Sequence, residues 1–253
     1  LLQLLTLTAM EAPARFDAES VRSEKHKLLQ SIRPFDGDAV NNRVIRGQYR
    51  AGEVDGNPAA AYTDEKDIPK DSRTETYAAA KLLIDNWRWR GVPFYMRSGK
   101  RLARKVSQIA LFFKQVPHCV FDPLDPDDLT RNALLLNVQP EEGVRLTVQA
   151  KRPGPKLCMA CVTLAFHYED VFGATPPEAY ERLLLDIMLG DQTLFIRRDN
   201  VEQEWAILRP ILEAWEEREE KERPPLHHYD AGSWGPAAAD RLLQEDGRSW
   251  HTP

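Results

Sequence analysis

The run Arg145-Leu146-Thr147-Val148-Gln149-Ala150 alternates polar and apolar side chains, the pattern of a strand with one solvated and one buried face. Working outward, Ala133–Val138 and Val162–Tyr168 read as its neighbours, and Ser107–Lys114 and Val92–Arg97 as strands further back. Short turns separate them, so the sheet they form is mostly antiparallel. Helical signals flank this β-rich middle. The apolar opening Leu1–Met10 reads as a helix that stops near Pro13, and Asp17 is the N-cap of a helix to about Ile32, with Val21, Leu28, Leu29 and Ile32 along one side. A further helix is predicted from Thr74 to Arg90, with Tyr77, Ala80, Leu83, Ile84 and Trp87 inward, Gly91 just past its end and Pro93 forbidding continuation. Beyond the strands, Pro176-Pro177-Glu178 opens a helix that runs to Met188. Asn200 to about Glu219 carries a stripe of Val201, Trp205, Leu208, Leu212 and Trp215, and Pro236–Glu245 forms a last short helix. Val44–Tyr49 is a strand inside an otherwise loop-like segment, residues 36–72. The expected fold is α+β: a large, mostly antiparallel sheet with helices packed on one face.

The chain has 253 residues, 42% of them hydrophobic and 29% charged, as in an ordinary globular protein, and a net charge of −5. That acidic balance argues against a protein built to bind nucleic acid. Three cysteines, Cys119, Cys158 and Cys161, make no disulfide framework, which points to a reducing compartment, the cytoplasm. No apolar run is long enough to cross a membrane as a helix. The start, without an initiator Met, reads as the second half of an apolar helix, so the chain is expected to be a fragment.

Against the acidic total, Tyr95-Met96-Arg97-Ser98-Gly99-Lys100-Arg101-Leu102-Ala103-Arg104-Lys105 is strongly cationic. A connection held between rigid elements is a seat for a small anion such as a phosphate. Lys100 and Lys105 could converge on one polyanionic ligand, each as a compact point charge. From charge alone, a solvated basic loop is the simpler reading.

Other chemistry is scarce. None of the 13 glycines falls in a Gly-x-Gly-x-x-Gly or a Walker loop, so the chain carries no nucleotide fingerprint. Cys158-Met159-Ala160-Cys161 lacks the second ligand pair of a zinc ribbon and reads as small residues entering a strand. The six histidines suggest no nucleophilic triad, His227-His228 reads as a surface pair, and the tryptophans at helical spacing, Trp87, Trp89, Trp205 and Trp215, read as core.

Several runs carry a resemblance: Arg46-Gly47-Gln48-Tyr49, Asp71-Ser72-Arg73-Thr74-Glu75-Thr76-Tyr77, Asn86-Trp87-Arg88-Trp89 with Gly91-Val92-Pro93-Phe94, Ser98-Gly99-Lys100, Pro176-Pro177-Glu178-Ala179-Tyr180-Glu181-Arg182-Leu183, Gly190-Asp191-Gln192 and Gly232-Ser233-Trp234-Gly235-Pro236. In this order they resemble glucose-6-phosphate dehydrogenase of the bacterial kind, over its C-terminal domain. The resemblance implies that residues 1–253 form a substrate-binding and dimerisation domain, with one sheet face used to build a homodimer or tetramer. It implies oxidation of glucose 6-phosphate to 6-phosphogluconolactone with hydride transfer to NADP, in the oxidative pentose phosphate pathway. It implies that the NADP-binding Rossmann domain and the general-base His lie upstream of Leu1, so that this chain alone is inactive and holds no catalytic, coenzyme or metal residue. Lys100 and Lys105 match lysines that bind glucose 6-phosphate, Lys105 the better match for the phosphate; Arg101 and Arg104 have no such support. The second, structural NADP site of animal members is expected to be absent, because Val106, Ala110 and Thr147 stand at its positions. The alternative is a stand-alone module that binds a sugar phosphate or assembles with a dehydrogenase.

Overall fold

A computed structural model describes residues 1–118, 129–155, 158–173, 179–216 and 223–253. They fall into two compact units, Leu1–Arg104 with Ala179–Trp250, and Lys105–Glu178 with His251–Pro253.

In the first unit, α1 (Leu2–Ala9), α2 (Ala18–Gln30) and α3 (Ala39–Arg43) precede β1 (Val44–Arg50). The Asp17 carboxylate caps α2, accepting from the Ser20 backbone N–H at 2.9 Å, as the sequence predicts. A small hairpin, β2 (Gly52–Val54) and β3 (Asn57–Ala59), follows, then β4 (Tyr77–Leu83) and β5 (Pro93–Gly99). A four-stranded sheet runs β10-β1-β4-β5, where β10 is Leu226–Asp230. Strand β1 pairs antiparallel with β4 and parallel with β10, Arg46 standing opposite Leu226.

Helices cover one face of this sheet. Leu2, Leu5 and Ala9 of α1, Leu28 and Leu29 of α2, Val40 of α3, and Ile207, Ile211 and Trp215 of α6 (Arg198–Glu216) pack against Val44, Ala78, Ala80, Leu82, Phe94 and Met96. The opposite face is aromatic: Tyr49, Tyr77, Tyr229 and Tyr95 lie with Ala79 under α7 (Ala238–Gln244). A further helix, α5 (Ala179–Leu189), carries exposed Leu184, Leu185, Ile187, Met188 and Leu189.

The second unit is a fully antiparallel sheet in the order β6-β7-β8-β9, built from Ser107–Phe112, Ala133–Gln139, Gly143–Lys151 and Met159–His167, and followed by α4 (Tyr168–Phe172). The alternating run Arg145–Ala150 lies inside β8, and Val162 and Leu164 of β9 are exposed. The α+β class and its mostly antiparallel strands are as expected, distributed over these sheets.

The helix expected over Thr74 to Arg90 is a strand. Tyr77-Ala-Ala-Ala-Lys-Leu-Leu83 pairs with β1 on one side and β5 on the other. Alanine, lysine and leucine favour helix, but tertiary pairing overrides that weak preference. Side chains alternate, Ala78, Ala80 and Leu82 under the helices and Tyr77 and Ala79 toward the aromatic face. Gly91 does end a turn with φ +80°, but only a single turn, opened by Asn86, whose side-chain oxygen accepts from Trp89 N–H at 2.8 Å. Trp87 is therefore not core but fully exposed, at 105%. Trp205 is also exposed, whereas Trp215 is buried and the Trp89 indole N–H donates to Ala9 O at 2.8 Å. The loop-like reading of residues 36–72 misses α3 and the β2–β3 hairpin, and the His227-His228 pair belongs to β10. The Pro176-Pro177-Glu178 helix start, Cys119 and residues 217–222 lie outside the described residues.

A strand at this place makes a sharp prediction. Leu82, 1% exposed, points into the helical core, while its neighbour Leu83 is only half-buried. Leu82→Ala should lower unfolding free energy by about 2–4 kcal/mol and Leu83→Ala by about 1 kcal/mol or less in urea denaturation. Equal losses would contradict the alternation.

Candidate functional site

The cationic segment begins on β5 and turns out of the sheet at Gly99-Lys100. Gly99 lies opposite Tyr77 in the β4–β5 ladder, and a Cβ there would come within 2.7 Å of the Tyr77 ring. Only glycine lets strand and ring approach this closely.

Backbone groups on both sides of the turn are tied down. Lys100 N–H donates to Thr76 O at 2.8 Å, and the Tyr229 hydroxyl donates to Lys100 O at 2.8 Å. Gly232 N–H donates to Arg101 O at 2.7 Å, and Ala103 N–H to Ser233 O at 2.9 Å. The segment that supplies Thr76 is itself held: Thr76 N–H donates to Gly47 O at 2.8 Å, and the Gln48 side-chain amide donates to Ser72 O and Thr74 O at 2.9 and 3.0 Å. Gly232-Ser233-Trp234-Gly235-Pro236 thus braces the turn from the far end of the chain.

The cations divide by role. Lys100, Arg104 and Lys105 are exposed, and neither Lys100 nor Lys105 has a carboxylate partner among the described residues. Arg101 bonds Glu65 at 3.0 Å, and Glu65 also accepts from the Tyr49 hydroxyl at 3.1 Å. Arg97 is stacked between the Trp234 and Trp250 rings, 5.2 and 4.6 Å from their centroids. Of the two predicted ligand lysines, Lys100 belongs to the first unit and Lys105 opens the second. The Cys158 and Cys161 thiols enter β9 as expected but are exposed rather than buried. No cluster of three or more potential metal ligands exists among the described residues.

Sequence reasoning did not find the bracing residues Thr76, Tyr229, Gly232 and Ser233. Thr76, Gly232 and Ser233 stood only within motif runs and Tyr229 in none; the partners are backbone carbonyls and amides, which leave no trace in composition or spacing.

Further along the same sheet face, Asp246 takes Lys81 Nζ at 2.6 Å and the Tyr95 hydroxyl, with Arg248 at 3.9 Å. Burial pushes the Asp246 pKa up, but the bonds from Lys81 and Tyr95 outweigh it and hold it below the usual carboxylate value. Burial also pushes the Tyr77 hydroxyl up to about 12, against the opposing pull of Arg97, so the ring stays neutral on this face.

With this geometry in place, the comparisons with known proteins are specific. The family model "Glucose-6-phosphate dehydrogenase, C-terminal domain" matches residues 1–251. A glucose-6-phosphate 1-dehydrogenase of Rhizobium meliloti (strain 1021) is 44% identical over 252 residues, 99% of this chain and 50% of the relative. One of Aggregatibacter actinomycetemcomitans is 44% identical over 253 residues, 100% of this chain and 49% of the relative. A solved glucose-6-phosphate dehydrogenase in complex with its substrate glucose-6-phosphate superposes with a TM-score of 0.85 at 33% identity, over 99% of this chain and 49% of that one. The chain belongs to the glucose-6-phosphate dehydrogenase C-terminal domain family. It spans about half the length of the relatives it matches.

The Asp246 cluster predicts an acid response. A folded pKa below the unfolded value near ~3.9 adds stability above that pH, lost as pH falls through the folded pKa. Asp246→Asn should cost about 1 kcal/mol at pH 7, a gap that closes below about pH 3.9. A gap that persists at pH 2.5 would show that the carboxylate charge is not its source.

Proposed function

We propose that this chain is the substrate-binding and dimerisation part of an NADP-dependent glucose-6-phosphate dehydrogenase, and that Lys100 and Lys105 hold the sugar phosphate. The observation that carries the reading is Lys100, a cation without a carboxylate partner on a turn whose backbone is bonded at Lys100 N, Lys100 O, Arg101 O and Ala103 N, in a chain of this family. A preset backbone lowers the entropy lost when a flexible lysine meets an anion. On this reading Lys105 takes the phosphate, and Lys100 takes phosphate or sugar hydroxyls. Energy from that remote contact positions C1 for oxidation to the lactone, the first step of the oxidative pentose phosphate pathway.

The sequence carries no dinucleotide fingerprint. The turn from β10 into α7 is the described strand-to-helix turn with paired glycines, and protein fills it: a Cβ at Gly232 would meet Glu53 O at 1.8 Å, and one at Gly235 the Tyr77 ring at 2.4 Å. On this reading NADP and the general base belong to a coenzyme-binding half. The exposed apolar side chains of α5 and β9 support a homodimer or tetramer built through the sheet. A cytoplasmic setting suits the free thiols Cys158 and Cys161. No helix among the described residues is long and apolar enough to cross a membrane.

Incubated with glucose 6-phosphate and NADP, the 253-residue chain alone should form no NADPH, read by absorbance; measurable turnover would refute the division of the site. In the complete enzyme, Lys105→Ala should raise KM for glucose 6-phosphate by at least about tenfold, the size of one lost charge-assisted bond. An unchanged KM would remove Lys105 from the site.

A further inference from the structure

Lys100 stands at one corner of a closed ring of hydrogen bonds. Its N–H donates to Thr76 O at 2.8 Å; the Thr76 hydroxyl donates to the Tyr229 oxygen at 3.1 Å; the Tyr229 hydroxyl donates to Lys100 O at 2.8 Å. The donor directions are mutually consistent. The Thr76 hydroxyl oxygen already accepts from Tyr49 N–H at 3.0 Å, which leaves its own hydrogen for Tyr229. Tyr229 also lies 3.1 Å from Thr76 O, but that carbonyl receives Lys100 N–H, and Lys100 O is the nearer acceptor.

Tyr229 is 4% exposed, and its ring packs 5.5 Å from Tyr77 and 6.4 Å from Tyr49, centroid to centroid. The ring, not the hydroxyl, provides the packing. The hydroxyl has a separate role. It fixes the peptide that follows the Lys100 Cα, while Thr76 O fixes the one before it. With both peptides set, the Cα–Cβ direction is set too, and only the exposed side chain remains free to move.

We infer that Tyr229 is a positioning residue for Lys100: its hydroxyl, on a strand 129 residues away in sequence, holds the Lys100 backbone so that the ammonium meets the anionic group of the sugar phosphate. This rests on the proposed role of Lys100 as a substrate residue. Were the hydroxyl there only to satisfy a buried carbonyl, its removal would alter stability and leave substrate recognition unchanged.

The test uses the complete enzyme, this chain together with its coenzyme-binding half, in four forms: parent, Lys100→Ala, Tyr229→Phe and the double variant. Phe keeps the packed ring and removes the one oxygen. Tyr229→Phe should raise KM for glucose 6-phosphate about five- to tenfold, with kcat changed less than about twofold. Because Tyr229 acts through Lys100, the double variant should match Lys100→Ala alone. A KM for Tyr229→Phe within about twofold of the parent, a loss confined to kcat or melting temperature, or effects that multiply in the double variant would each overturn the inference while leaving Lys100 in the site. An unchanged KM in Lys100→Ala would instead overturn the proposed function, and the inference with it. If Tyr229→Phe yields no folded enzyme, 3-fluorotyrosine at position 229 keeps the ring and changes only the strength of the hydroxyl as donor to Lys100 O; a KM shifted in the parent but not in Lys100→Ala supports the inference, and an unchanged KM overturns it.

Discussion

Strand β4 has no solvent face. It pairs with β1 and β5 along its edges, with helices α1, α2 and α6 packed on one side and an aromatic layer on the other. Alanines suit this double burial, since small side chains let helix and ring approach the sheet. The neighbouring β1 is buried on both faces as well, yet carries Arg46 and Gln48. Both donate to backbone carbonyls, although the Arg46 Nε is buried without a partner. Arg46 donates to Pro224 O at 2.9 Å and lies 5.6 Å from the Trp215 ring, and Gln48 grips Ser72 O and Thr74 O. Buried donors bonded to backbone carbonyls favour one arrangement of the segments they hold. Those segments continue to Thr76 and Tyr229, which hold the cationic turn, so the centre of the sheet and the site share one set of constraints.

The same burial explains where the sequence was legible. In the second unit, the polar–apolar alternation of Arg145–Ala150 placed β8 within two residues, although nearly all its side chains are half-buried. Strand β4 lacks that contrast, and Tyr-Ala-Ala-Ala-Lys-Leu-Leu reads as helix by composition. Strand β10, Leu-His-His-Tyr-Asp, is too polar and too short to stand out, and its parallel partner lies at the other end of the chain. Helix α6 buries Ile207, Ile211, Ala214 and Trp215, so of the expected stripe Trp215 is inward while Val201, Trp205 and Leu208 are exposed. In the site, Lys100 and Lys105 were visible as charges against an acidic background. What separates Lys100 from Arg101 was not visible: Glu65 engages the guanidinium at 3.0 Å, and no carboxylate engages the ammonium.

Resemblance and structure contribute different things. The motif runs place the chain in its family, and the structure assigns several of them a physical task. Arg46-Gly47-Gln48-Tyr49 grips backbone from three other segments. Ser98-Gly99-Lys100 allows the contact with Tyr77. Gly232-Ser233-Trp234-Gly235-Pro236 supplies two backbone bonds and one wall of the Arg97 stack. None of these tasks is chemistry on a substrate. They are the scaffolding that gives a long, flexible lysine a fixed origin.

The pairing of β1 with β10 has a consequence for how the protein is made. During synthesis β1 is made well before its ladder partner β10. Until then one edge of the sheet is open, with unpaired amides and carbonyls able to join a strand from another nascent chain. The brace of the cationic turn arrives with the same late segment. Between the synthesis of β1 and that of β10, the sheet is unsealed and the ligand turn still loose, and the arrival of β10 with Gly232 and Ser233 both seals the edge and sets the turn.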